Sequence, residues 1–100
     1  TLFPYTTGAD VVIELDEGAH PKVASLPDAP QRQLAYGGGF LSYSLHSDNA
    51  NAVWGTGPTV DVAHTGTGTT TSLTVYGSVA AGQNVPSGEY ADVVVASVTF

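Results

Sequence analysis

The stretch from Glu89 to Phe100, EYADVVVASVTF, constrains this chain more than any other. Side chains along a strand alternate with period two. One face therefore carries Tyr90, Asp92, Val94, Ala96, Val98 and Phe100, and the other Ala91, Val93, Val95, Ser97 and Thr99. Beyond Asp92 both faces are apolar or small, as suits a strand buried on one side and partly covered on the other. Such a strand requires neighbours on its flanks and over its face.

The rest of the sequence offers more strands and no helix. Ala9 to Leu15, ADVVIEL, alternates Val11, Ile13 and Leu15 against Asp10, Val12 and Glu14. Asp16 to Pro21, DEGAHP, carries the side chains of a turn. Lys22 to Gln33 contains Pro27 and Pro30 and reads as an irregular crossing segment, with Lys22 and Arg32 on the solvated surface. Leu34 to Tyr36 fits a short strand, and Gly37 to Gly39 a bend or bulge. Phe40 to Ser47, FLSYSLHS, alternates cleanly. Ser47 to Asn51 is a polar connection. Thr59 to His64 and Ser72 to Ala80 are further strands, separated by the Gly/Thr segment Thr65 to Thr71. Gly82 to Gly88 is a long turn before the last strand. Thr1 to Gly8 fits a short edge strand or a docked terminal arm, with Pro4 arguing against a central strand. No stretch of helix formers has a period near 3.6. Six or seven short strands predict an all-β domain of two packed sheets, a single domain over residues 1–100.

Charge narrows the partners. The net charge is −7, and Lys22 and Arg32 are the only Lys or Arg. Nothing here neutralises a run of phosphates, so nucleic acid is excluded as a partner, and docking to anionic lipid is disfavoured. No apolar run approaches the length of a membrane-spanning helix. There is no cysteine, hence no disulfide framework and no thiolate chemistry. The low charge and the Thr, Gly and Ser content lean towards an extracellular protein.

The sequence carries no enzyme signature. His20, His46 and His64 lack the i, i+2 or i, i+4 partners of a metal cluster, and structural or solvent-facing roles are expected for them. No G-x-S-x-G occurs, and no pair of acids stands out for glycoside chemistry. Asp10, Glu14, Asp16 and Glu17 form a local acidic edge without calcium-loop spacing. No catalytic residue, cofactor or metal is expected. Trp54, before Gly55-Thr56-Gly57-Pro58, has two readings: packing over the end of a sandwich, or a binding platform.

Three stretches carry a family resemblance: Leu41 to Gly57, LSYSLHSDNANAVWGTG; Ser72 to Phe100, SLTVYGSVAAGQNVPSGEYADVVVASVTF; and, more loosely, Ala9 to Gly18, ADVVIELDEG. They share a Leu-x-Tyr-x-Leu strand, a Trp-Gly, a Leu-Thr-Val-Tyr-Gly strand, an Ala-Gly-Gln-x-Val-Pro-x-Gly-x-Tyr-x-Asp turn and a Val-Thr-Phe end with one family. This part of the chain, roughly residues 9–100, resembles the spore coat protein U domain family, the pilins of archaic chaperone–usher pili.

The resemblance implies an incomplete immunoglobulin-like, pilin-type β-sandwich, completed by a donor strand. That strand comes first from a periplasmic chaperone, with an outer-membrane usher, and then from a neighbouring or sister subunit. Val94, Ala96, Val98 and Phe100 would line the donor-strand groove. The implied function is a structural subunit of an extracellular pilus or surface-coat fibre, reached through the periplasm and supporting adhesion or biofilm formation. The alternative is a tip adhesin or a carbohydrate- or surface-binding module, with Tyr36, Phe40 and Trp54 as candidate binding aromatics. Members of the family usually carry a donor segment and a first strand before the part matched by Ala9. Only Thr1 to Gly8 precede it here, so the sequence reads as a truncated or processed chain, or as one domain of a longer protein. About four apolar side chains uncovered by a missing strand are worth roughly 1.5–3 kcal/mol each on burial. Their sum, about 6–12 kcal/mol, matches the whole stability of a small domain.

Overall fold

A computed structural model describes residues 10–48 and 52–100. The expected arm or edge strand at Thr1 to Gly8, and Asn49 to Asn51 of the polar connection, lie outside the described residues. Among the described residues there are six strands: β1 (Asp10–Leu15), β2 (Arg32–Tyr36), β3 (Gly39–His46), β4 (Val62–Thr65), β5 (Tyr76–Val79) and β6 (Ala96–Thr99). They form two three-stranded antiparallel sheets, ordered β4-β1-β6 and β2-β3-β5. The all-β, two-sheet expectation holds for the described residues.

Strand β1 is central in the first sheet because its alternation is strict. Val11, Ile13 and Leu15 are buried, while Val12 and Glu14 are only partly covered. Residues directly opposite in an antiparallel pair share a face. Val62 and His64 on β4, and Ala96 and Val98 on β6, therefore project to the same side as Ile13 and its neighbours. In the second sheet the inner side carries Arg32 and Leu34 opposite Tyr43 and Leu41, and Leu45 opposite Gly77. The core between the sheets is small. Val11, Ile13, Leu15 and Trp54 are buried, with Leu45, Val62, Leu73 and Val94 packed against them.

Trp54 is 2% exposed, which corrects its expected place among the surface-binding aromatics. Its backbone N–H donates to Leu45 O (3.0 Å) in one sheet, and its indole N–H donates to Ile13 O (3.0 Å) in the other. The Trp-Gly segment then runs beside the end of β1. Leu15 N–H donates to Gly55 O (3.3 Å), the Thr56 hydroxyl to Leu15 O (3.1 Å), and Gly57 N–H to Glu14 Oε2 (2.8 Å). Space is short at Gly55, where a side chain would press on Pro27 O.

Arg32 also departs from expectation. It is 2% exposed rather than on the solvated surface, and β2 begins at this residue. Its Nε and Nη2 both donate to Asp16 O (2.9 and 2.7 Å), and Nη2 also to Trp54 O (2.7 Å). A planar guanidinium can satisfy two carbonyls from one buried position, and a solvated ammonium cannot.

Three expected strands are shorter than their sequence alternation suggests. Thr59 and Val60 lie in a turn closed by Val60 N–H to Gly57 O (3.1 Å), so β4 starts at Val62. Of Ser72 to Ala80 only Tyr76–Val79 pairs with β3, and of Glu89 to Phe100 only Ala96–Thr99 pairs with β1. The last stretch changes sheets. Ala91 pairs with Ala35 of β2 through two backbone bonds (2.9 and 3.1 Å), and five residues later, at Ala96, the chain is in the other sheet. A segment that crosses between layers has no continuous ladder to join.

Candidate functional site: two bare edge strands and a clamped crossing

Strands β5 and β6 are exposed at all four of their positions. Each is the last strand of its sheet, so among the described residues no strand pairs with its outer edge. Their inward residues are bare as well. Val98 stands opposite buried Ile13, yet is 39% exposed, and Val79 on β5 is 53% exposed. Phe100, on the same alternation as Val98, is 79% exposed. Of the four residues expected to line a groove, Val94 packs against the core and Ala96, Val98 and Phe100 are open. Ala96 and Val98 lie on β6, with Val94 before it on the crossing and Phe100 just beyond its end. Among the described residues the edge offers unpaired backbone groups beside an apolar inner face, the chemistry that captures an extended peptide.

The long turn before this strand is fastened by side chains acting as backbone. Gln83 accepts from Ser42 N–H (2.7 Å) and donates to Ser42 O (2.9 Å), the two bonds a neighbouring strand would make. The Tyr90 hydroxyl donates to Pro86 O (2.7 Å), and its ring lies 5.5 Å from that of Tyr36, tilted by 53°. Gly88 lies against the Tyr36 ring, leaving no room for a side chain.

The crossing itself is clamped at Asp92. Its carboxylate accepts from the Tyr43 hydroxyl, from Ala19 N–H (2.9 Å) and from the His20 ring Nδ1 (3.1 Å). Gly18, at φ +84°, leaves the space this carboxylate fills. Asp16 holds the next turn of the path: its N–H donates to Val95 O (3.0 Å), and its Oδ1 accepts from Val95 N–H (3.0 Å) and Gly18 N–H (2.9 Å). Burial pushes the Asp92 pKa up, but bonds from Tyr43, Ala19 N–H, Val93 N–H and His20 outweigh it and hold the group below its ordinary value. Burial and the bond to Asp92 push the Tyr43 phenol up.

The expected binding aromatics do not form one platform. Tyr36 and Phe40 are 49% and 48% exposed on the β2–β3 hairpin, but Tyr36 opposes Gly39 while Phe40 opposes Ala35, on the other face. Tyr36 is further committed to Tyr90. The histidines differ in role. His20 meets Asp92 at the surface, whereas His46 is buried with Nε2 at 2.9 Å from Ser44 Oγ and 3.3 Å from Ser78 Oγ. Among the described residues no group of three or more His, Asp or Glu is placed to hold a metal ion.

The residues that sequence reasoning missed are Arg32, Tyr43, Gln83 and Asp92. Gln83, Tyr90 and Asp92 do sit in the long turn motif that carried the resemblance.

Two small three-stranded sheets around a shared core make an all-β, two-sheet fold consistent with an immunoglobulin-like sandwich of the pilin type. The comparisons agree. The chain belongs to the Spore Coat Protein U domain family, whose model matches residues 5–97. It is 39% identical over 92 residues to Protein U of Myxococcus xanthus, covering 89% of this chain and about half (51%) of that protein. Its fold matches a chain of the CsuC–CsuE chaperone–tip adhesion subunit pre-assembly complex, from archaic chaperone–usher Csu pili of Acinetobacter baumannii. The TM-score is 0.63 at 18% identity, covering 95% of this chain and 30% of that one. Neither the family nor the fold match points to an enzyme.

Proposed function

We propose that this chain is a structural subunit of an extracellular pilus or surface-coat fibre, assembled by donor-strand complementation. A periplasmic chaperone and an outer-membrane usher deliver it, and a neighbouring or sister subunit supplies the final donor strand. The fibre serves adhesion or biofilm formation. One observation carries this reading: β6 is an edge strand whose inward residues oppose the core, yet Val98 and Phe100 remain exposed. Burying such side chains is worth roughly 1.5–3 kcal/mol each, enough to bind a strand of matching alternation. The fold match to a chain of a chaperone–subunit complex supports the same route.

The test is the solution mass and thermal unfolding of the protein, alone and with a donor peptide of alternating apolar residues. Poor stability alone and a gain of tens of degrees with the peptide are expected. A monodisperse, heat-stable monomer indifferent to every donor strand would sink the proposal.

A second reading, a tip adhesin or surface-binding module, draws on Phe40. This ring stands half-exposed on the β2–β3 hairpin, on the face away from Tyr36. Loss of surface binding in Phe40→Ser, with donor binding intact, would favour it.

A further inference from the structure

We infer that Asp92 fixes the register of the last strand along β1. The ladder does not do so by itself. It consists of four pairs, Leu15 with Ala96, Glu14 with Ser97, Ile13 with Val98 and Val12 with Thr99. A slip by two residues would set Leu15 opposite Val94 and Ile13 opposite Ala96. Every inward position would stay apolar, since a two-residue shift preserves the faces. The backbone bonds of Ala91 to Ala35, and the bonds of Val95 N–H to Asp16 Oδ1 and of Asp16 N–H to Val95 O, engage only the backbone of the last stretch, so any residue there can make them.

Asp92 does distinguish the registers. It is the only charged residue between Tyr90 and Phe100, and its side chain is 1% exposed. In the observed register it accepts from Tyr43, Ala19 N–H and His20, in a space that Gly18 leaves open. A slip of two residues moves it about 7 Å along the strand, away from all three donors. A buried carboxylate stripped of its donors is strongly disfavoured. The slipped strand is thus rejected by one group, and Val94, Ala96, Val98 and Phe100 take their positions from it. Tyr90, against Tyr36, is the nearest competing anchor.

The chain has no cysteine, so engineered disulfides read the register without background. Val12→Cys with Thr99→Cys reports the observed pairing, and Val12→Cys with Ser97→Cys the slipped one. In the intact protein the first pair should oxidise more than about tenfold in excess over the second. In an Asp92→Ala background the two should approach parity, while Tyr90→Leu keeps the excess. An Asp92→Ala protein that unfolds cooperatively yet forms only the first disulfide overturns the inference. If Asp92→Ala does not fold, Tyr43→Phe decides. Removing one donor should raise the slipped disulfide several-fold, and an unchanged ratio overturns the inference.

Discussion

The indole N–H of Trp54 donates to the carbonyl of Ile13 across 41 residues of sequence, at 3.0 Å. The side chain that fills the core therefore also satisfies a backbone group of the central strand. Trp54→Phe keeps most of the apolar volume but removes this hydrogen bond, at a cost of about 0.5–1.5 kcal/mol. Trp54→Ala adds a cavity and should cost about 3–5 kcal/mol. Urea unfolding followed by circular dichroism distinguishes the two steps.

Arg32 should not be replaceable by lysine. Its guanidinium reaches Asp16 O and Trp54 O together, and burial depresses its pKa despite the opposing effect of Tyr43, Asp16, Asp92 and Glu17. Arg32→Lys keeps the charge but not the fork, and is expected to lower the melting temperature by several degrees, corresponding to about 1–3 kcal/mol. A melting curve equal to wild type would contradict the pairing.

The Asp92–Tyr43 contact predicts a loss of stability at both ends of the pH scale. Folding depresses the Asp92 pKa, so its contribution is complete above the ordinary value of 3.8 and is withdrawn as pH falls below it. Folding raises the Tyr43 pKa, so its contribution is complete below the ordinary value of 10.0 and declines as pH rises past it. Asp92→Asn should flatten the acid limb and Tyr43→Phe the alkaline limb. Denaturant midpoints measured from pH 2.5 to 11 check both.

Val98→Asp separates the free chain from its complemented form. The side chain is already 39% exposed, so the variant alone should lose no more than about 1 kcal/mol. Its stabilisation by a donor peptide, and its polymer yield, should disappear because a carboxylate would be buried unpaired. Substitutions at Thr67 or Thr69, exposed in the Gly/Thr loop, should change neither.

Gln83→Ala should open one corner locally. It removes both bonds to Ser42, and amide exchange at Ser42 is expected to speed at least about tenfold while β1 amides are unchanged.

Strands β1 and β3 were legible because their alternation is strict and each has partners on both sides. The final stretch was legible as a strand but not as a crossing, since Val93 to Val95 read alike on either sheet. Arg32 was misplaced on the surface because the carbonyls that hold it come from Asp16 and Trp54, 16 and 22 residues away. Asp92 was counted on a strand face with no role, because its donors come from a turn and from β3, which only folding brings together. Tyr36 and Phe40 were grouped by exposure, and the hairpin register puts them on opposite faces.

The segments YGSV of β5 and ASVT of β6 contain no charge and no proline, the usual means by which edge strands repel one another. Any two copies that meet by these edges can therefore join. Such encounters scale with the square of the concentration, whereas folding or capture by a resident partner is first order in the chain. Dilution should thus favour recovery of native material, and a burst of synthesis should favour precipitation. The fate of each new molecule is then decided by a race between two rates rather than by the final stability of the fold.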